Sequence, residues 1–134
     1  MSSVKHLSIA QKLRKANALL DEVARLVDFK YYNTAINRLY YACFHAVKAL
    51  LLTKDIIPKT HSGTVNMLHK HFVQNAAFDI THASFYSRIM QERMDDDYSD
   101  FLLTDKDLVL SFIQPAKELL TYIENLIDIH DNEY

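Results

Sequence analysis

The chain has one glycine, two prolines, one cysteine and no tryptophan in 134 residues. Ordinary domains carry roughly 12% glycine plus proline, and many-stranded sheets depend on both for the backbone angles of their tight turns. Three such residues exclude sandwiches, barrels and doubly wound folds. A single glycine, Gly63, also excludes a glycine-rich phosphate loop, and with it kinase- and Rossmann-type activities. The lone Cys43 cannot close an internal disulfide, and in its apolar surroundings it is expected to be a buried structural thiol in a reducing cytoplasm. Charge of one sign is lacking too: fifteen basic and seventeen acidic residues leave a net charge of -2. Bulk electrostatics therefore give no blanket attraction to phosphate or anionic lipid, and any nucleic-acid binding has to be local. The most apolar stretch, Leu39 to Leu52, is 14 residues long and contains His45 and Lys48. It is too short for a membrane span, and MSSVKHLSIAQKL lacks a signal-peptide core, so neither membrane insertion nor export is expected.

What is present is helical patterning. With 49% hydrophobic and 24% charged residues, the chain reads as one globular domain over residues 1–134, its core at about 8–128. From Ser8 to Val27, Ile9, Leu13, Ala16, Leu20, Val23 and Val27 recur at spacings of three and four, with Ser8 as the expected N-cap. Tyr31 to Leu52 is apolar around most of its circumference and is expected to be the central helix. KDIIPKTHSG, residues 54–63, should turn the chain before a third helix starts near Ser62 or Thr64, carries Val65, Leu68 and Phe72 on one side, and ends around Gln74 to Phe78. A fourth helix is expected from about Thr81 to Met94, with Phe85, Ile89 and Met94 inward, dissolving into Asp95, Asp96 and Asp97. The last starts at Thr104-Asp105-Lys106-Asp107, a capping-box-like pattern, and runs to about Ile127 with a kink or break at Pro115. These segments predict an all-α protein, an up-and-down bundle of four to five helices.

On the central helix the polar residues Asn33, Thr34, Asn37, Arg38, His45 and Lys48 fall within an arc of about 140°. Arg38 and His45 are seven residues apart, so they project from nearly one angle with roughly 10 Å of rise between them, sharing that side with Tyr41, Ala42, Ala49 and Leu52. Two readings follow. In one, Arg38 reaches solvent or an acid and His45 is a core histidine satisfied by a hydrogen bond. In the other, the pair is an anion site: arginine grips a phosphate bidentately and histidine moves a proton near neutral pH, the groups metal-free RNA cleavage requires. His61, beside a helix start, and Lys59 are candidate phosphate ligands or ordinary turn residues. His69 and His71 point about 200° apart on a helix and cannot share an ion. Asp95, Asp96 and Asp97 suggest either a magnesium site or a solvated helix end, with an acid such as Asp97 orienting Arg93 or Arg38. No metal site and no cofactor are expected.

The run Asn37-Arg38-Leu39-Tyr40-Tyr41-Ala42-Cys43-Phe44-His45-Ala46, then Lys59-Thr60-His61-Ser62-Gly63 and His71-Phe72-Val73, resembles the short single-domain branch of the HEPN family. Arg93-Met94-Asp95-Asp96-Asp97-Tyr98 is similar to that branch's Arg-x-x-Ala-Asp-Tyr element, with Asp96 in the place of its small residue. The resemblance spans roughly Ile9 to Ile127. It implies a helical bundle that dimerises with the arginine and histidine of each copy in a shared cleft. It also implies one of two activities: a metal-independent endoribonuclease toxin paired with a minimal nucleotidyltransferase, or a non-catalytic module binding a nucleotide, RNA or that partner. Carried over, Arg38 is the phosphate-binding cation and His45 the general acid or base, with Tyr41 and Asp97 in support and Lys59 and His61 near phosphate. Leu39 stands where nuclease members carry Asn, Asp or His, and Val47 where some toxin members carry a tyrosine that their partner adenylylates. A homodimer is also expected because a helix as apolar as the central one needs cover on more sides than one short chain is expected to supply.

Overall fold

The computed structural model describes residues 3–98 and 105–132, and in them the apolar spacing becomes five α-helices and one π-helical turn, with no strand. They are α1 (Ser3–Asp28), α2 (Tyr32–Leu52), α3 (His61–Leu68), the π turn (His69–Val73), α4 (Ile80–Tyr98) and α5 (Lys106–Asn132). Beyond Arg93 in α4 and beyond Asp128 in α5 only the backbone path is described.

The α2 helix is the hub, packed by α1, α5, α4 and α3. Eleven of its 21 residues are buried inside a single chain, so the cover that sequence reasoning sought from a second copy comes from the molecule's own helices. Its longest seam is with α1. Ile9, Ala16 and Val23 on α1, and Ala35, Ala42 and Ala49 on α2, each recur every seven residues and are all buried, the period of a long helix–helix contact. The alanines among them let the two backbones approach. Ala42 and Ala49, which share the Arg38/His45 flank, are closed within the chain.

Several helix ends differ from expectation. Ser8 is not an N-cap: α1 begins five residues earlier, and the Ser8 hydroxyl accepts a hydrogen bond from Lys12 Nζ at 3.0 Å. The added turn is held by Lys5, whose ammonium reaches the Thr53 carbonyl and the Asp55 carboxylate, both at 3.1 Å. Helix α3 starts at His61 under a Thr60 cap, the Thr60 Oγ1 accepting the Gly63 N–H at 2.9 Å. Gly63 thus lies inside the helix, and a Cβ there would stand 2.8 Å from the capping oxygen. Helix α4 does not dissolve at the aspartates but continues to Tyr98, because like-charge pairs on a helix cost only tenths of a kcal/mol and no Gly or Pro interrupts the segment. Its inward face is Ala83, Tyr86 and Ile89, with Phe85 only partly buried. Asp105 caps α5 by accepting the Leu108 N–H at 2.8 Å; Thr104, the first residue of the expected capping box, lies outside the described residues. Pro115 does not split α5, since Phe112, Ala116, Leu119 and Leu120 on both sides of it are locked in the core.

With no glycine at the turns, three left-handed helix ends fall on other residues: Lys30, Asp55 and Ala76, at φ 65°, 60° and 57°. Each sits in the same paired hydrogen-bond pattern, such as Ala77 N–H to the Phe72 carbonyl at 2.8 Å and Ala76 N–H to the Val73 carbonyl at 3.0 Å. This is the Schellman stop that glycine usually supplies. Cys43 is fully buried as expected, and burial pushes its thiol pKa up to about 12. No described helix is long and apolar enough to cross a membrane.

Candidate functional site

The polar arc of α2 lies along its edge with α1, and the antiparallel pairing sets the register. Arg38 meets Glu22: its Nε–H donates to Oε2 at 2.9 Å, and Nη1–H donates to Asn37 Oδ1 at 2.8 Å. The pair is open, with side chains 36% and 50% exposed, and such pairs contribute about 0–1 kcal/mol.

Seven residues further along each helix the charge changes. His45 is half-buried between the rings of Phe44 and Tyr41, with centroids 5.4 and 6.2 Å away. Burial first, then the ammonium groups of Lys15, Lys48 and Lys12, pushes its pKa from the ordinary 6.5 down to about 4. At neutral pH it is an uncharged imidazole in a positive field. Lys48, whose Nζ lies 5.0 Å from the Phe44 ring centre, is itself held below its usual range by burial and by Lys12 and Lys15. Lys12 and Lys48 line a pocket of about 130 Å³ floored by Leu52, Ile56 and Pro58.

A second constellation adjoins the first through the same rings. The His61 imidazole stacks on Phe44 with centroids 4.6 Å apart and stands edge-on to Tyr41 at 5.8 Å. Its Nδ1 lies 2.6 Å from the Tyr40 hydroxyl. Arg93 closes this group: its Nη2–H donates to the Tyr41 hydroxyl at 3.1 Å, and Cζ lies 5.2 and 5.5 Å from the Tyr41 and Tyr40 ring centres. Burial, then Arg93 and Lys48, holds His61 below the usual histidine range. Burial also drives the Tyr40 pKa up to about 12, so its phenol stays protonated.

The sequence-derived residues therefore fall into distinct places. Arg38 and His45 share an edge of α2 without a hydrogen bond between them, the one held by Glu22 and Asn37, the other set among rings and lysines. Tyr41 lies between the two imidazoles and holds Arg93. His61 joins the aromatic group as the first residue of α3, but the Gly63 amide of that helix start is taken by Thr60 and not open to an anion. Lys59 is exposed in the loop before α3. Asp97 belongs to the last turn of α4, and its side chain lies outside those described. Among the described residues no three His, Cys, Asp or Glu side chains converge to hold a metal ion. Sequence reasoning missed Arg93, Lys12 and Lys15. Arg93 was in view within the Arg93–Tyr98 element but was read only as a partner for an aspartate. The lysines carried no signal, because only the α1–α2 register brings them to His45.

Residues 9–126 match the model of the HEPN domain. The chain is 32% identical over 115 residues to a UPF0332 protein of Thermotoga maritima, covering 86% of this chain and 87% of that one. To a UPF0332 protein of Pyrococcus horikoshii it is 34% identical over 116 residues, 87% and 72% of the two chains. A Methanocaldococcus jannaschii protein named "Putative toxin" is 36% identical over 86 residues, 64% of this chain and 58% of that protein. A family match over nearly the whole helical core, joined by relatives that align across most of their own length, leaves one assignment: the chain belongs to the HEPN domain family.

Proposed function

We propose that this protein binds RNA along the cationic edge between α1 and α2 and cleaves a phosphodiester there without a metal ion, as a toxin-type endoribonuclease. The observation that carries the reading is the company of His45: a half-buried, uncharged imidazole faced by Lys12, Lys15 and Lys48, one α2 heptad from Arg38. An uncharged imidazole can take the proton of a 2′-hydroxyl, and a bound phosphodiester would offset the lysines and raise the proton affinity of His45 toward the working range. Arg38 would stabilise the negative charge that grows on phosphorus-bound oxygens. Its present partner Glu22 is a weak, exposed one, so a phosphate can replace it at little cost. Lys59 and His61 would contact flanking phosphates, Asp97 would orient an arginine, and the Tyr41 and Phe44 rings offer faces on which bases stack.

In this reading the working unit is a homodimer whose two Arg38/His45 edges form one cleft, with a minimal nucleotidyltransferase as the restraining partner. Support for a covered face comes from Phe29 and Tyr31, stacked at 6.4 Å on the α1–α2 corner and 69% and 60% exposed. The relatives named as toxins support the class of activity. The test is incubation with RNA in chelator. Products ending in 2′,3′-cyclic phosphate that vanish in Arg38→Ala and His45→Ala are expected; cleavage persisting in His45→Ala would overturn the assignment.

One observation favours a second reading, a non-catalytic module that binds a nucleotide or the partner. Leu39 is wholly buried in the core, so the position after Arg38 presents no polar group to a substrate. Tight partner binding without cleavage of any RNA would establish it.

A further inference from the structure

The buried hydroxyls behind His61 form a chain whose protons can be counted. Thr64 Oγ1 lies 2.6 Å from the His61 carbonyl, which can only accept, so the single hydroxyl proton of Thr64 goes there. Tyr86, whose hydroxyl is also 2.6 Å from Thr64 Oγ1, must then be the donor in that contact. Tyr40 is fully buried, and its hydroxyl lies 2.6 Å from His61 Nδ1 and also neighbours the Tyr86 hydroxyl. A buried hydroxyl does not leave its proton unused, and an unprotonated imidazole nitrogen accepts it far better than the phenol oxygen of Tyr86, so Tyr40 donates to Nδ1, which carries no hydrogen. The neutral ring then bears its proton on Nε2, which has no hydrogen-bond partner among the described residues. Phe44 stacks on one face of the ring, and Lys48 and Arg93 are near enough to lower its affinity for a second proton.

We infer that His61 is a second substrate-binding residue of this site, held by Tyr40 as the Nε2–H tautomer so that it hands an uncharged N–H to a non-bridging oxygen of an RNA phosphodiester. The inference rests on the phosphodiester reading above and gives the two histidines different tasks. His45 exchanges a proton with substrate; His61 keeps its own and lends a hydrogen bond. Tyr40 is a positioning residue, acting only through His61. The titratable groups facing His61 are Tyr40, Tyr41 and Lys48 of α2 with Tyr86 and Arg93 of α4; burial raises the Tyr40 and Tyr86 phenols and lowers the Lys48 ammonium.

Histidine 15N spectra of the whole protein read the tautomer directly. At pH 7 the His61 Nε2 is expected at the protonated position and Nδ1 at the unprotonated one, and addition of a 2′-deoxy dinucleotide, which cannot be cleaved, should shift Nε2. Affinity for that probe should fall about tenfold in His61→Ala and largely return in His61→Gln, whose amide N–H takes the place of Nε2–H. Tyr40→Phe should mix the tautomers and weaken the probe while the helical spectrum is retained. A hydrogen on Nδ1 in the unaltered protein, or an Nε2 signal and probe affinity indifferent to these changes, would overturn the inference. Its fate is separate from that of catalysis: if RNA is left intact while the probe binds through Nε2–H, the ribonuclease reading fails and this one stands. If RNA is cleaved while Nε2 is unmoved by the probe, the reverse holds.

Discussion

Arg38 Nε donates to Glu22 Oε2 at 2.9 Å across the α1–α2 edge, so the arginine that a phosphate would need is held in place by an acid it can exchange. Glu22→Gln should lower stability by less than about 1 kcal/mol, as for other exposed pairs, read from urea denaturation. The same change should tighten RNA binding by freeing the guanidinium; weaker binding would show that Glu22 orients Arg38 rather than competing for it.

The displaced pKa of His45 makes a statement about stability. Its ordinary value of 6.5 applies to the unfolded chain and about 4 to the folded one, so between these values the unfolded state binds the extra proton. Stability is complete above about pH 6.5 and declines as pH falls toward 4. His61, displaced in the same direction, adds to the slope. The urea midpoint should drop from pH 7 to pH 5 in the native chain and drop less in His45→Gln. Equal drops would assign the acid sensitivity elsewhere.

Removing charge from the lysines should act on His45 at a distance. Lys15→Gln and Lys48→Gln each take away a cation that disfavours the imidazolium, so the His45 pKa measured by NMR titration should rise in both variants. A value that stays put would leave burial and Lys12 as its causes.

Left-handed backbone at a residue with a Cβ is strained, and Ala76 at φ 57° is such a residue. Ala76→Gly should stabilise the fold by about 0.5–1 kcal/mol despite glycine's greater freedom in the unfolded chain. Lys30→Gly should behave alike. Loss of stability in both would show that the strain is already relieved by the surrounding turn.

Pro115 withholds one hydrogen bond inside a 27-residue helix. Pro115→Ala should restore it and raise the denaturation midpoint, by at most the roughly 3 kcal/mol that proline costs a helix interior. An unchanged or lower midpoint would mean that the core residues flanking it require the proline's geometry.

Composition and periodicity by themselves determined that this chain is a bundle of helices with α2 at its centre. A single glycine removes sheets and phosphate loops, and rows of apolar residues at spacings of three and four name the buried faces, because both effects act over one or two turns of chain. They also placed Arg38 and His45 on one edge, since seven residues return a helix to nearly the same angle. Helix ends were less legible. Caps such as Thr60 and Asp105 compete with similar neighbours, and three stops use residues that carry no turn signature. Only the tertiary structure decided which charges meet: Glu22 with Arg38, the lysines with His45, and Arg93 and Tyr40 with His61. Glu22 with Arg38, Tyr40 with His61 and Arg93 with His61 lie 16, 21 and 32 residues apart in sequence, and Lys12 and Lys15 are brought to His45 by the register of α1 on α2, which no local pattern encodes. Electrostatic and hydrogen-bond effects fall off within a few ångströms in space, whatever the separation along the chain, so the chemistry of the site was settled by packing.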